Sequence, residues 1–375
     1  MNLQAVRRRL ALASLALSSL LLVGRASADE TINGQVLGGG APIANSKVTL
    51  YAATAFEPKQ LAQTKTDNEG RFEVRATGPP ADSSLYLLAF GGEPRVRGGG
   101  DNPAIALLAV LGSKPPAHVV INEMTTVASV WTNAQFLVGS TLKGPALGLR
   151  IAADNVPNFV NLSTGGWGEA IQNPLNSGQT PTMANFATLA DLLSACVTRV
   201  TTNACSSLFA AATPPGWGAL TDTVNTPEAI ALNPWYQPER LYALLDQFYP
   251  VPKGKNMRPV PFMPYLNYAP SAWVVPLKFD GGGYRAGGKC MFDSEGNLWV
   301  GDNFTIGWQG SDALWQGPAT KFAPNGHPLS PIITGFTGGG MEGGTFGAAV
   351  DSKDNAWFTT YGASQSPSST RRASH

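Results

Sequence analysis

The chain has few charged residues and little that could organise an ionic or metal-dependent site. Only 14% of its 375 residues are Asp, Glu, Lys or Arg, and the formal net charge is +1. A balance so close to neutral excludes the basic surface that nucleic-acid binding requires. The three histidines are far apart, and neither a CxxC pair nor a Cys/His cluster is present. We therefore expect no metal site, no cofactor and no nucleic-acid partner.

Long apolar runs are missing as well, except at the amino terminus. Arg7 to Arg9 precede an apolar stretch from Leu10 to Val23, and the small residues Ala26 to Ala28 follow. This order is typical of a secretory signal peptide over residues 1–28. The apolar stretch is shorter than the ~20 residues that span a bilayer, although an uncleaved anchor is the alternative. We expect a periplasmic or extracellular protein with no membrane span after signal cleavage.

Cysteine is scarce, with three residues in the chain. Cys196 and Cys205 lie nine residues apart in a protein routed to an oxidising compartment, so we predict a disulfide between them. Two buried free thiols are the alternative. Cys290 stands within an apolar strand-like run, which predicts a small core residue rather than a nucleophile.

Glycine and proline are abundant, with 42 and 29 copies, and this favours short strands joined by tight turns. Residues 29–97 alternate apolar and polar side chains, as in Ile32 to Leu37, and predict a small β-sandwich. A hairpin is expected over residues 65–74, with Asp67 capping the turn and Gly70 at a positive φ.

The same segment resembles the carboxypeptidase regulatory-like, or transthyretin-like, domain. The matching positions follow the order G-x-V, P-I-x-x-x-x-V-x-L and T-D-x-x-G-x-F, and are Gly34, Val36, Pro42, Ile43, Val48, Leu50, Thr66, Asp67, Gly70 and Phe72. The resemblance implies a spacer or stalk module in a secreted protein and is nearly silent on function.

Residues 98–275 have helical patterns separated by loop-like stretches. Asn122 is placed to cap a helix, and further helices are predicted from Thr182 to Thr198, after Pro227, and from Pro238 to Tyr249. This segment predicts a helical or irregular insert that carries the disulfide.

Residues 276–362 contain one motif twice. Asp293, Asn297 and Trp299 recur 58 residues later as Asp351, Asn355 and Trp357. A repeat of this length with a polar turn between apolar runs is typical of β-propeller blades, of which a closed ring needs roughly 4–8. We interpret the Asp as the cap of a hairpin turn. A calcium loop of the EF-hand type is the alternative, but it needs about twelve residues with oxygens at fixed positions.

The order D-x-x-G-N-L-W-V and then K-F-x-P-N-G-x-P resembles NHL repeats and the streptogramin-lyase family of propellers. The stretch VINEMTTVASVW and the LLSAC…CSSLF pair are similar to bacterial exported NHL-repeat proteins. The resemblance implies an incomplete propeller of about two blades. No residue matches the lyase family's catalytic His, and His327 is expected as an exposed turn residue after Asn325-Gly326. We assign no catalytic residue.

The loop from Asn303 to Gly317 holds the candidate binding residues Trp308, Trp315 and Asp312. Trp beside polar groups suits a glycan or a protein ligand. Packing of both Trp side chains between blades is the alternative.

These observations predict a mainly β protein with a helical insert: an N-terminal β-sandwich, a middle α-rich region and a C-terminal partial β-propeller. Residues 363–375 have the composition of a disordered tail, and we interpret the chain as a truncated product of a longer propeller protein. The expected function is an exported, non-enzymatic binding or scaffold protein of the NHL-repeat type with an unknown ligand. The alternative is a truncated relative of a propeller lyase or hydrolase that lacks its catalytic blades.

Overall fold

A computed structural model describes residues 30–302, 318–339, 341, 344–361 and 371–372. The expected signal peptide and the candidate residues Trp308, Asp312 and Trp315 lie outside this part. The described strands, numbered β1 to β19 in chain order, are Glu30–Gly38, Ala41–Ala44, Lys47–Ala53, Lys59–Lys65, Arg71–Ala76, Ser84–Phe90, Glu93–Pro94, Ala106–Gly112, His118–Ile121, Leu137–Val138, Thr141–Leu142, Val160–Asn161, Gly166–Trp167, Gly287–Phe292, Leu298–Asp302, Ala319–Phe322, Gly344–Val350, Ala356–Tyr361 and Arg371–Arg372. The described helices, numbered α1 to α10, are Glu123–Asn133, Ala146–Asp154, Val156–Phe159, Glu169–Gln172, Pro174–Ser177, Thr182–Val197, Ala204–Ala212, Asn225–Leu232, Pro238–Tyr242 and Leu244–Phe248.

The fold combines several sheets, largely antiparallel, with helices. One sheet has the order β5-β1-β2-β7, with β9 parallel to β1, and a second has the order β4-β3-β6-β8. Buried residues from both sheets and from the helices belong to one hydrophobic cluster, hereafter the main core. Strands β8 and β9 come from the segment expected to be helical, so these two sheets extend past residue 97.

The apolar pattern of the chain explains which strands are covered on both faces. Strand β8 (ALLAVLG) is buried along its whole length, and so is β6 (SLYLLAF) except at its last residue. Continuous apolar runs of this kind are typical of strands with a layer on each side. In the neighbouring sheet Gly34 stands opposite Phe72, and a Cβ at Gly34 would lie 2.3 Å from the ring Cζ. The absence of a side chain at residue 34 is what admits the Phe72 ring.

Residues 65–74 form the predicted turn but not the predicted hairpin. Asp67 Oδ1 accepts hydrogen bonds from the N–H groups of Glu69 and Arg71 at 2.9 and 2.7 Å, and Gly70 has φ +71°. The flanking strands diverge, because β4 pairs with β3 whereas β5 pairs with β1 in the other sheet. The hairpin prediction is therefore wrong: the turn is a corner between sheets, and both arrangements need the same local turn chemistry.

Helix α1 covers the free edge of β8 and satisfies its backbone. The predicted cap is confirmed, since Asn122 Oδ1 accepts from Thr125 N at 2.9 Å. Further along the helix, Thr126 Oγ1 accepts from Leu108 N at 3.0 Å and Ser129 Oγ accepts from Val110 N at 2.9 Å. Buried edge groups without such partners would destabilise the fold, so hydroxyls on a buried helix here replace a neighbouring strand.

Helix α6 satisfies the backbone hydrogen-bonding groups of a proline-rich segment in the same way. Residues 249–278 have neither helix nor strand, and prolines recur from Pro250 to Pro276. The segment runs antiparallel to α6, and its backbone is bound by a stripe of side chains at every third helical residue. From one end to the other, the partners are Asp191 with Phe262 N, Thr188 with Leu266 N, Asn185 with Val274 O and Thr182 with Pro276 O. We call residues 123–277 the helical part.

The predicted disulfide between Cys196 and Cys205 is confirmed and links the end of α6 to α7. The predicted helix from Thr182 is confirmed to Val197, whereas the one from Pro238 divides into α9 and α10 around Ala243.

Strands β14–β16 and β17–β19 form two three-stranded antiparallel sheets, hereafter the repeat-bearing sheets. Their backbones approach closely, because a Cβ at Gly301 would lie 2.0 Å from Thr345 O and one at Gly288 would lie 2.4 Å from Phe346 O. A small core separate from the main core lies here and comprises Trp299, Ala319, Ala356 and Phe358.

The prediction that Cys290 is buried is wrong. Its strand, β14, lies at an edge of its sheet with β15 on one side only, and Cys290 is exposed together with Phe292. An apolar run alone does not reveal whether a second layer covers it. In the neighbouring sheet, Arg371–Arg372, within the segment expected to be disordered, pair with β18 and place Arg372 opposite Trp357.

Candidate functional site

Both copies of the repeated motif form the same hydrogen-bonded turn. Asp293 Oδ1 accepts from the N–H of Asn297 at 2.9 Å, and Oδ2 accepts from the indole Nε1 of Trp299 at 3.1 Å. The Asn297 amide donates to both carboxylate oxygens, at 3.1 and 3.0 Å. The carboxylate thereby ties the turn to the strand that leaves it.

The second copy repeats this geometry. Asp351 accepts from Asn355 N at 3.0 Å, from Trp357 Nε1 at 3.0 Å, and from the Asn355 amide at 3.1 and 2.9 Å. These donors hold the pKa of Asp351 well below its usual range. The Asp of each motif thus caps a turn, as the sequence predicts, and both of its carboxylate oxygens already accept N–H donors.

The two copies differ in the cation beside the carboxylate. The Lys321 ammonium lies 3.2 Å from Asp293 Oδ2 and 4.5 Å above the centre of the Trp299 ring. Burial alone would raise the pKa of Asp293, but donation from Asn297, Lys321 and Trp299 outweighs burial and lowers the pKa to about 2. The first turn therefore holds an ionised carboxylate with a buried cationic partner.

A cleft of about 1530 Å³ opens between the helical part and the repeat-bearing sheets. One wall comes from the end of β8, from α2 to α4 and from the β12–β13 hairpin, and the other comes from residues 278–280 and 325–328. Its volume exceeds the ~300–1,000 Å³ typical of pockets for small molecules. The cleft has room for an extended ligand.

Side-chain amides fix the two walls to each other. Asn158 Nδ2 donates to Asn325 O at 2.8 Å, and Asn155 Nδ2 donates to Pro324 O at 3.1 Å. Asn176 makes two hydrogen bonds to the backbone of Lys278: its Oδ1 accepts from the N–H at 2.7 Å, and its Nδ2 donates to the carbonyl at 3.0 Å. Three amide contacts therefore fix the width of the cleft.

The lining is polar, rich in amides and balanced in charge. Five amide side chains face it, namely Asn158, Asn161, Gln172, Asn173 and Asn325. Its charged side chains are Lys114, Arg150, Lys278, Asp154, Glu169 and Asp280. Burial raises the pKa of Asp154, while Arg150 and Lys114 partly oppose the rise. His327 lines the opposite wall and is exposed, as predicted.

A second polar site lies inside the main core. Glu123 Oε1 accepts from Gly39 N at 2.8 Å, and Asp191 Oδ1 accepts from Phe262 N at 2.9 Å. Their other oxygens and Ser194 Oγ are buried without a hydrogen-bond donor or acceptor at bonding distance among the described residues. Burial raises the pKa of Glu123 to about 7 and that of Asp191 to about 8, and burial raises the pKa of Tyr249 beside them as well. Both carboxyl groups thus keep their protons to a higher pH than a solvated carboxyl group does.

The sequence alone predicts neither the cleft nor the buried acid pair of Glu123 and Asp191, although each is associated with a recognisable sequence pattern. The amides of the cleft are concentrated in NVPNFVN and QNPLNSG, which read as ordinary loop residues. Asp191 belongs to the polar stripe of α6, where every third residue is polar within an otherwise apolar helix. A buried helix with such a stripe must serve backbone or ligand groups.

Metal-binding clusters and membrane-spanning helices are both absent from the described ranges. These ranges contain no group of three or more His, Cys, Asp or Glu side chains placed to hold a metal ion. None of the helices in these ranges combines the length and the apolar character needed to cross a bilayer.

Comparisons with known proteins leave the family open. No model of a known protein family matches the chain, and no curated protein matches it. A solved structure, a 9R-lipoxygenase from Cyanothece PCC8801, aligns with 86% of this chain and 45% of its own length, at 13% identity and a TM-score of 0.17. The chain thus spans less than half of that protein, and a likeness this weak carries no argument about fold or function.

Proposed function

We propose that this chain is an exported, non-enzymatic binding or scaffold protein of the NHL-repeat propeller type. The cleft carries the proposal, because it is large, polar and held open by amide contacts between two parts of the molecule. A site whose walls are fixed in advance binds without the entropic loss of ordering them.

The architecture that goes with this proposal has three parts. Two sheets that share one core support a β-sandwich of the carboxypeptidase regulatory-like type at the amino terminus. The close contact of Gly301 and Gly288 with the next sheet supports neighbouring propeller blades at the carboxyl terminus. The alternative is a relative of the propeller lyases or hydrolases.

Binding and turnover can be measured on the same samples. The purified chain is incubated with oligosaccharides and peptides, with added Mg²⁺ or Mn²⁺ or with EDTA, while calorimetry records binding and mass spectrometry records products. We expect binding without product formation. Metal-dependent conversion of any bound compound would contradict the non-enzymatic proposal and favour the lyase or hydrolase alternative.

Export has its own test. Expressed in a bacterium with its amino terminus intact, the protein should be recovered outside the cytoplasm with a mature amino terminus near Asp29. An intact Met1 in the recovered protein would contradict signal cleavage.

A further inference from the structure

The geometry points to an oligosaccharide as the ligand of the cleft, with Trp167 as the platform for a sugar ring and the amides of Asn161, Gln172, Asn173 and Asn325 as its hydroxyl partners. This inference rests on the proposed binding function and names the ligand class and the residues.

Trp167 is anchored so that its ring cannot collapse into the cleft. It lies in the β12–β13 hairpin, where it pairs with Val160. Its ring centre is 5.7 Å from that of buried Phe186, which stacks on Phe159 at 5.7 Å. A partly exposed aromatic ring fixed by packing offers an apolar surface at a small entropic loss, and the C–H face of a sugar is the complementary surface.

Each side-chain amide near Trp167 uses one of its polar atoms in a hydrogen bond within the chain and leaves the other available to a ligand. Asn161 Oδ1 accepts from Ser163 N at 2.9 Å, and Asn173 Oδ1 accepts from Leu175 N at 3.0 Å. Gln172 Nε2 donates to Gly168 O at 2.9 Å. The Nδ2 groups of the two asparagines and Oε1 of the glutamine have no partner within the part of the chain that the structure describes.

Asn325 extends the pattern to the opposite wall. Its Oδ1 accepts from His327 N at 3.2 Å, and its Nδ2 likewise has no partner in the described ranges. Fixed donors and acceptors on both walls match vicinal hydroxyl groups, which donate and accept at once.

The charges of the lining argue for a neutral ligand. Lys114, Arg150 and Lys278 balance Asp154, Glu169 and Asp280, so the cleft has no excess charge to select an anion or a cation. Its volume of about 1530 Å³ suits a chain of several sugar units rather than a monosaccharide.

The test uses the full chain and three neutral probes: the hexasaccharides of β-1,4-linked N-acetylglucosamine, β-1,4-linked glucose and α-1,4-linked glucose. We expect at least one probe to bind in calorimetry. Trp167→Ala should weaken that binding at least about tenfold, because central aromatic anchors dominate binding sites. Since Trp167 also packs on Phe186, Trp167→Phe is made in parallel and should retain the fold while weakening binding less.

Asparagine-to-aspartate changes give the sharper variants. Asn161→Asp and Asn173→Asp keep the Oδ1 acceptor that each turn uses and replace the free amide donor with a charged oxygen that cannot donate, so we expect folded proteins with roughly three- to tenfold weaker binding. Asn203→Asp is the matched control, because Asn203 Oδ1 accepts from Thr201 and the residue lies outside the cleft lining. Its affinity should equal that of the wild type.

Each other outcome identifies which proposal fails. A probe that binds equally to wild type, Trp167→Ala and both aspartate variants would place the sugar elsewhere and overturn this inference, while the binding function would stand. No binding of any hexasaccharide would overturn the ligand class, and binding of peptides instead would leave the binding function intact. Conversion of the probe to products would contradict the non-enzymatic function itself.

Discussion

The helical part and the repeat-bearing sheets treat their carboxyl groups differently. In the helical part, the buried carboxyl groups of Glu123 and Asp191 each have one oxygen without a hydrogen-bond donor. In the repeat-bearing sheets, Asp293 accepts from a backbone amide, a side-chain amide, an indole and an ammonium group. The result is opposite protonation. The pKa values of the first pair are raised to about 7 and 8, and that of Asp293 is lowered to about 2.

Burial alone therefore does not set the pKa of a carboxyl group. Hydrogen-bond donors lower the pKa, because each N–H directed at the ionised form offsets part of its lost hydration. The stability of the two regions therefore responds to pH in opposite directions. Four predictions test this difference.

The largest expected effect is that of Asp293→Ala. The change leaves Asn297, Trp299 and the nearly buried Lys321 without their shared acceptor, so we expect a loss of about 3–5 kcal/mol in the free energy of unfolding of this region. Urea unfolding with hydrogen exchange across β14 to β16 measures it. Asp351→Ala is the matched control and should lose less, since no described ammonium group faces Asp351. Equal losses in the two variants would show that Lys321 contributes nothing.

The second prediction concerns pH. Because the folded pKa values of Glu123 and Asp191 lie above those of the unfolded chain, their stabilisation is complete below about pH 4 and is lost as the pH rises through 7 and 8. For Glu123 the change is of order 3 kcal/mol. Asp293 acts with the opposite sign, since its lowered pKa gives stability above about pH 4 that is lost as the pH falls toward 2.

Urea titrations at pH 5, 7 and 9 measure the first of these effects. Asp191→Asn resembles the protonated acid and still accepts from Phe262 N, so we expect a flatter profile above pH 5. Thr188→Ala removes a hydroxyl of the same helix that accepts from Leu266 N, and it should lower stability while keeping the wild-type slope. A wild-type protein whose stability rises from pH 5 to pH 9 would contradict the proton-retaining pair.

The contrast also explains what the sequence could predict. The turn at Asp293 is local, because its amide and indole donors lie within six residues, and the same motif recurs at Asp351. The helix over 182–197 and its disulfide are local as well. Each of these depends on side chains that are close in sequence, so spacing alone was sufficient.

What the sequence could not predict depends on distant partners. The partners of Asp191 and Asn176 lie 71 and 102 residues away in a segment without secondary structure. Exposure of Cys290 depends on which strand lies beside β14, and the corner at Asp67 depends on which sheet receives β5. The cleft forms only when residues near 160 and 325 meet. Loop asparagines give no local signal of that meeting.

The third prediction tests the amide contacts that hold the cleft wall. Asn176 is fully buried and makes two hydrogen bonds to Lys278. Asn176→Ala leaves both backbone groups unsatisfied and should lower stability by about 1–3 kcal/mol. Asn185→Ala is the control, since Asn185 makes one comparable bond, to Val274 O, and the loss should be smaller. Limited proteolysis within 249–278 should increase in the same order, and unchanged cleavage in Asn176→Ala would contradict the role given to this side chain.

The smallest effect is expected at the ion pair between the two regions. Arg150 and Glu295 lie 2.8 Å apart, but their side chains are 48% and 65% exposed. Water and salt screen such pairs, so Arg150→Ala should lower stability by about 0.2–1 kcal/mol, and 0.5 M NaCl should remove most of the difference. Asn158→Ala, which breaks a partly buried amide contact across the same boundary, should lower stability more and should not respond to salt. If the arginine variant loses more than the asparagine variant, charge rather than amide hydrogen bonding joins the helical part to the repeat-bearing sheets, and the balanced charges of the cleft would have to be reassigned to holding its walls together.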